Sequence, residues 1–266
     1  MLPSLLRPLL LLALALPLAL HAQDYPSRPV RIVVPFQPGG GSDTLGRLLA
    51  EKLTARWGQP VVVENRAGAG GNLGAGFVAQ ALADGHTLLL SSPGPVVINQ
   101  SLYKSLPFDP DGFVPVSVIA TNYGVLALHP RTGLADVAAL VAAARAAPDK
   151  LNFASAGSGT TPHLAGELFK SLAGVRLTHV PYKGAGPGFE YSVWQGLVAP
   201  AGTPAAVASR ISGAVADIVR QPDVARRLAD VGLEAVGSSP AEMGAVMRQD
   251  RERWGKVVRE TGARAD

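Results

Sequence analysis

Two stretches of this chain have the residue types to hold an anion. Gly39-Gly40-Gly41 leads into Ser42 and Asp43 between an apolar run and an amphipathic one, and Ser155-Ala156-Gly157-Ser158-Gly159-Thr160 does the same much further along. Glycine lets the main chain come close to a bound group. A helix that starts just after it presents unpaired N–H groups and the positive end of its dipole. Neither loop brings a cation: there is no Lys or Arg between Pro38 and Thr44, or between Ser155 and His163. No Lys follows Gly41, so the first loop is not a phosphate-binding Walker loop, and three consecutive glycines are not the spaced dinucleotide fingerprint. Amides and hydroxyls alone would neutralise a triphosphate poorly, whereas a carboxylate needs only a few such donors. Both loops therefore read as carboxylate grips. Asp43 has two readings: N-cap of the helix from Thr44, or a negative wall that meets an amino group and repels extra negative charge.

The catalytic alternative is weaker. Ser42, Ser158 and His163 would have to form a hydrolase site, yet no Gly-x-Ser-x-Gly elbow is present. The five histidines are isolated, without the spacing of a metal pair, and there is no cysteine for a thiolate site or a disulfide. No paired carboxylates stand out for acid–base work. The expectation is a non-enzyme with no metal and no cofactor.

The elements that would hold these loops alternate in kind. Strands are predicted at Val30–Val34, Val61–Glu64, Thr87–Ser91, Val114–Ala120, Val125–Leu128, Leu151–Ser155, Leu177–Val180 and Tyr191–Val198. Helices are predicted at Thr44–Trp57, Leu73–Ala83, Leu134–Ala147, His163–Leu172, Ala205–Arg220 and Ala241–Thr261, with helical "PDVARRLADVG" between the last two. This alternation indicates an α/β fold with mostly parallel sheets, and the Val/Ile/Leu-rich strands suit sheets covered on both faces. Ligands in such folds sit at strand carboxyl ends, where both loops lie. Two similar cradles, each heading its own strand–helix unit, suggest two lobes facing one cleft.

Met1–Leu20 carries Arg7, an apolar run broken by Pro8 and Pro17, and then Leu20-His21-Ala22 before Gln23, the pattern of a signal peptide cleaved near Ala22. The uninterrupted run Leu9–Leu16 is too short to span a bilayer. Export with no cysteine suits a bacterial periplasm. Removing the leader takes only Arg7 from the charged residues, so the net charge falls from +4 to +3. The basic residues near the end are interleaved with Asp250, Glu252 and Glu260, a solvated helix face without a nucleic-acid motif.

With those residues in view, the chain resembles the Bug-type receptors, periplasmic substrate-binding proteins of tripartite tricarboxylate transporters. The likeness runs in order through "YPSRPVRIVVPFQPGGGSD", "GQPVVVENRAGAGGNLGA", "ADGHTLLLSS", "LPFDPDGFVPVSVIA", "LNFASAGSGTTPHLAGELF", "VPYKGAGP", "WQGLVAPAGTP" and "ERWGKVV". It implies a type II periplasmic-binding-protein fold, residues 23–123 and the returning 199–266 forming the first lobe and 124–198 the second. It implies a monomer that captures a small carboxylate (a di- or tricarboxylate, an aromatic acid or an amino acid) and hands it to a membrane permease. Carried over by residue, the first grip would be Phe36, Gly40, Gly41, Ser42 and Asp43, with Ser91 and Ser92 on the same wall. The second would be Ser155, Ser158, Gly159, Thr160 and His163, with Tyr182 as a further cleft residue.

One departure stands out. In the family "VPYKGAGP" is followed by a helix, further strands and a turn before "GFE", whereas here Pro187 joins Gly188 directly. A parallel return needs a crossover of roughly a dozen residues, so the link permits a hairpin, an extended continuation or a jump between lobes. The second lobe is expected to be abbreviated and to expose apolar surface, including the Ala-rich face of 134–147. A degenerate member that no longer binds is the alternative to a working receptor.

Overall fold

A computed structural model describes residues 25–122, 124, 126–155, 157–158, 160–182 and 194–265. The predicted leader and the Pro187–Gly188 junction lie outside the described residues. Eight strands are present among them: β1 (Val30–Val34), β2 (Val61–Asn65), β3 (Thr87–Ser91), β4 (Val114–Thr121), β5 (Asn152–Ser155), β6 (Thr178–Pro181), β7 (Trp194–Ala199) and β8 (Glu234–Ala235). The helices are α1 (Gly41–Trp57), α2 (Asn72–Ala79), α3 (Asn99–Leu102), α4 (Val137–Ala146), α5 (Thr161–Ala173), α6 (Ala205–Val219), α7 (Pro222–Ala229) and α8 (Pro240–Thr261). Residues 126–128, the described part of the strand predicted at Val125–Leu128, are not in one.

Six strands form one sheet in the order β2-β1-β3-β7-β4-β8. β1 pairs in parallel with β2 and β3, while β7 runs antiparallel between β3 and β4, and the short β8 antiparallel to β4. The sheet is thus mixed where mostly parallel pairing was predicted. The reason is β7: it enters from the far end of the chain and fills the slot between two strands that point the same way. It also lies in the six-stranded sheet, although the sequence assigned most of it, up to Val198, to the second lobe.

The continuous apolar runs divide by strand alternation. Ile32, Val34, Leu88, Leu90 and Leu197 enter a core with α1, α6 and α7. Val33, Leu89 and Val198 face the opposite way, into a second core with α2, the turn at Gly94–Ile98 and α8. Both faces are covered, so both parities along each strand must be apolar. The indole N–H of Trp194, the first described residue after the junction, donates to the buried carboxylate of Asp250 on α8 at 2.7 Å. That bond fixes the point at which β7 enters the sheet.

The second sheet is a parallel pair, β5–β6. Its core is small: Ala144, Val175 and Leu177, with Val141, Leu151, Phe153, Phe169 and Ala173 around them. Two strands seldom stand alone in water, and α5 supplies the missing support. Its Gly166 lies so close over Phe153 that a Cβ there would overlap the ring. Its Leu164 is fully buried in the other direction, in the core shared with Trp254, Val257 and Val258 of α8. Apolar groups do remain exposed on this lobe, among them Val137 on α4 and Leu172 on α5, the latter 80% accessible.

Leu164 thus anchors the small sheet to the large one. Leu164→Ala is expected to lower the unfolding free energy by about 2–5 kcal/mol, as for other fully buried leucines. Urea denaturation followed by circular dichroism measures it; a loss below about 1 kcal/mol, less than such cavities cost, would show that α5 is not so anchored.

Candidate functional site

α1 begins three residues earlier than predicted, within the glycine run, with Gly40 at the N-cap. Asp43 therefore does not cap it but occupies the third helical position. Its carboxylate accepts from the Gly39 N–H at 3.0 Å, from Arg47 Nε at 2.9 Å and from Asn65 Nδ2 at 2.9 Å. Burial alone would raise its pKa, but the bonds from Arg47, Gly39 and Asn65 outweigh that and hold it below the usual carboxylate range. The charge of Asp43 is spent on the shape of the loop. Asn65 also donates to the Phe36 carbonyl at 3.2 Å, and the Phe36 ring packs half-buried on the first core.

Ser42 is buried, and its hydroxyl donates to Oε1 of Gln195 at 2.9 Å. Gln195 is itself 1% exposed, on β7. Its neighbour Gly196 stands in register with Ser91 on β3, whose hydroxyl donates to the Ser92 carbonyl at 3.0 Å. Ser42 on α1 and Ser91 at the end of β3, with Ser92 just beyond it, are thereby linked through β7. Gln195 was missed as a site residue: one glutamine in "WQGLVAP" carries no local signal, and only the sheet order places it beside Ser42.

The second loop is knotted around the Gly157 carbonyl. It accepts from the Ser155 hydroxyl at 3.1 Å, the Thr160 hydroxyl at 2.7 Å and the Thr160 N–H at 3.2 Å. Thr160 is the N-cap residue of α5 by position, yet its hydroxyl is engaged there and caps nothing. Thr161, fully buried at the start of α5, has a hydroxyl with no partner among the described residues. Ser158 is half-buried and Gly159 lies outside the described residues. Tyr182 donates its N–H to the Ser155 carbonyl at 2.9 Å while its side chain is exposed, so its main chain reaches this loop.

His163, in the first turn of α5, is buried. Its ring stacks on His179 of β6, centroids 4.1 Å apart, and His179 stacks in turn on Phe153 at 4.8 Å. Nε2 of His179 shares a 2.6 Å hydrogen bond with Ser155 Oγ. Burial foremost, then the neighbouring His179 and Lys170, pushes the His163 pKa down from 6.5 to about 4. Burial also lowers His179, although Glu167 opposes it. Both rings are neutral near pH 7. The second loop therefore gains no cation from them, and Ser155, 1% exposed, is held between Gly157 and His179. Among the described residues no cluster of His, Asp or Glu could hold a metal ion.

The two loops thus share a chemistry of main-chain donors. α4 and α8 are capped by Asp136 and Ser239, the latter in a capping box with Glu242. No side chain caps α1 or α5. The same holds for α2, α6 and α7, so the open start carries meaning only together with the glycine loops and the strand ends. Such starts can take a carboxylate without a cation.

The model of the tripartite tricarboxylate transporter family receptor matches residues 45–192 and 185–263 of the chain. The two pieces meet at 185–192, around the Pro187–Gly188 junction. BugT of Bordetella pertussis is 31% identical, over 91% of this chain and 92% of its own. That alignment runs over 300 residues against the 266 of this chain, so BugT carries internal residues without a counterpart here. Among solved structures, Rhodopseudomonas palustris Rpa4515 with adipate is 31% identical with a TM-score of 0.83, covering 90% of this chain and 99% of its own. MatC (Rpa3494) from the same organism, with bound malate, is 28% identical with a TM-score of 0.81, covering 88% and 100%. The fold is that of the type II periplasmic binding proteins, two lobes about a cleft, with the second abbreviated.

A histidine held below its unfolded pKa binds fewer protons folded than unfolded, so its stability is complete above pH ~6.5 and drains away as the pH falls toward 4. For His163 that predicts a loss of about 2 kcal/mol between pH 7.5 and 5, with His179 acting in the same sense. Urea unfolding across that range should show the decline, flattened in His163→Gln; a stability that rises on acidification would contradict it.

Proposed function

The chain belongs to the tripartite tricarboxylate transporter receptor family, and from that premise we propose that it is a non-catalytic receptor for a small dicarboxylate. One carboxylate is held at the start of α1 with Ser42, Ser91 and Ser92, the other at the start of α5 with Ser158, Gly159 and Thr160. The reading rests above all on one observation: two uncapped helix starts in glycine loops, whose surroundings contribute neutral donors and no uncompensated charge. Rpa4515 with adipate and MatC with malate support the dicarboxylate class. A tricarboxylate would bring a third charge that these donors do not balance.

The role carries a location and a partner. Cleavage near Ala22 would release the chain into the periplasm, where a membrane permease accepts the solute. Among the described residues no helix is long and apolar enough to cross a membrane.

Thermal unfolding with malate, adipate, citrate, benzoate and glutamate tests the reading. A dicarboxylate at about a hundred times its Kd should stabilise the protein by about 2.7 kcal/mol, raising Tm by roughly 5–10 °C. Gly41→Leu, which blocks approach to the start of α1, should abolish the rise while the protein stays folded. No shift with any acid would favour a degenerate member whose shortened lobe no longer binds.

A further inference from the structure

Where the two lobes meet, one contact is made by groups that the carboxylate site does not use. The Tyr103 hydroxyl, just after α3 on the first lobe, donates to the main-chain carbonyl of Ser158 in the second loop at 3.2 Å. Beside it, Gly70 of the β2–α2 loop presses against the same carbonyl: a Cβ there would overlap the Ser158 oxygen and come within 2.9 Å of the Tyr103 hydroxyl. Gly70 has φ +62°, the left-handed region that glycine tolerates. It is held from behind by Asn99 of α3, fully buried, whose Nδ2 donates to the Gly70 carbonyl at 3.3 Å and to Asn72 Oδ1 at 2.6 Å. Three segments distant in sequence, around Gly70, Tyr103 and Ser158, thus converge on one oxygen. Burial raises the Tyr103 pKa, so its hydroxyl keeps its proton and remains a donor at physiological pH.

We propose that Tyr103 and Gly70 form a latch that docks the second loop against the first lobe and thereby positions Ser158 and Thr160 for the ligand. Tyr103 is a positioning residue: it acts on the acid through the placement of the loop. The geometry favours this over simple packing because the partner is a carbonyl of the donor loop itself, and because Gly70 leaves no room for any side chain between the surfaces. The proposal rests on the reading of 155–163 as half of the grip, but the latch is visible without ligand.

Hydrogen–deuterium exchange of the ligand-free protein tests it. Tyr103→Phe keeps the ring and removes the donor; Gly70→Ala inserts the forbidden methyl group. In both, amide exchange over 155–165 should quicken roughly three- to tenfold, the worth of one net hydrogen bond, while exchange over 96–104 in Tyr103→Phe stays as in the parent. Unchanged exchange over 155–165 in both variants would overturn the latch. So would equal quickening at 96–104 in Tyr103→Phe, since that marks a residue that merely packs. Neither outcome depends on whether a carboxylate binds, so failure of the latch and failure of the receptor reading remain distinguishable.

Discussion

A two-stranded parallel sheet cannot bury enough surface to hold itself, and the second lobe of this protein is built around that limit. Helix α5 resolves it by having two apolar sides. Gly166 and Phe169 face β5, β6 and α4, and Leu164 and Leu168 reach the core beneath α8. The small sheet is therefore stable by attachment. The start of α5 is also one of the two candidate grips, so the segment that supports the lobe is the one that would hold solute. Support and binding are coupled through three turns of one helix.

The electrostatics follow a single pattern. Charges near the two loops are neutralised internally before any ligand arrives: Asp43 by Arg47, and Glu167 by Lys170 at 2.8 Å. The histidines next to the second loop are kept neutral by burial first, with Lys170 acting on both in the same sense. What remains is the main chain and a few hydroxyls, groups that cost little to present to water and pair with a carboxylate without a second ion to desolvate. On the proposed function, such an arrangement would favour modest anions and give polyanions no counter-charge.

Much of the fold was legible in the sequence because the strands are strongly patterned. Val30–Val34 and Thr87–Ser91 match their predicted limits, and α1, α6 and α8 differ from theirs by a few residues at most. The two loops were legible through their glycines and their lack of cations. Three things were not. The antiparallel insertion of β7 depends on partners in β3 and β4, far back along the chain, and a six-residue run carries no mark of direction. The role of Asp43 turned on a helix that starts within the glycine run, which propensity disfavours and the fold overrides. Gln195 and His179 carry ordinary residue types at unremarkable spacings; only the three-dimensional arrangement sets one beside Ser42 and the other between Phe153 and His163.

Among the described residues neither β5 nor β6 has a second neighbour, so the outer flank of each offers unpaired main-chain groups. Such flanks invite a strand from another molecule, and growth along them leads to aggregates. Here the ribbon is only four residues long on each side and ends at Pro181, which has no N–H to give. Brevity and one imino acid leave an incoming strand few main-chain groups to pair with on this flank.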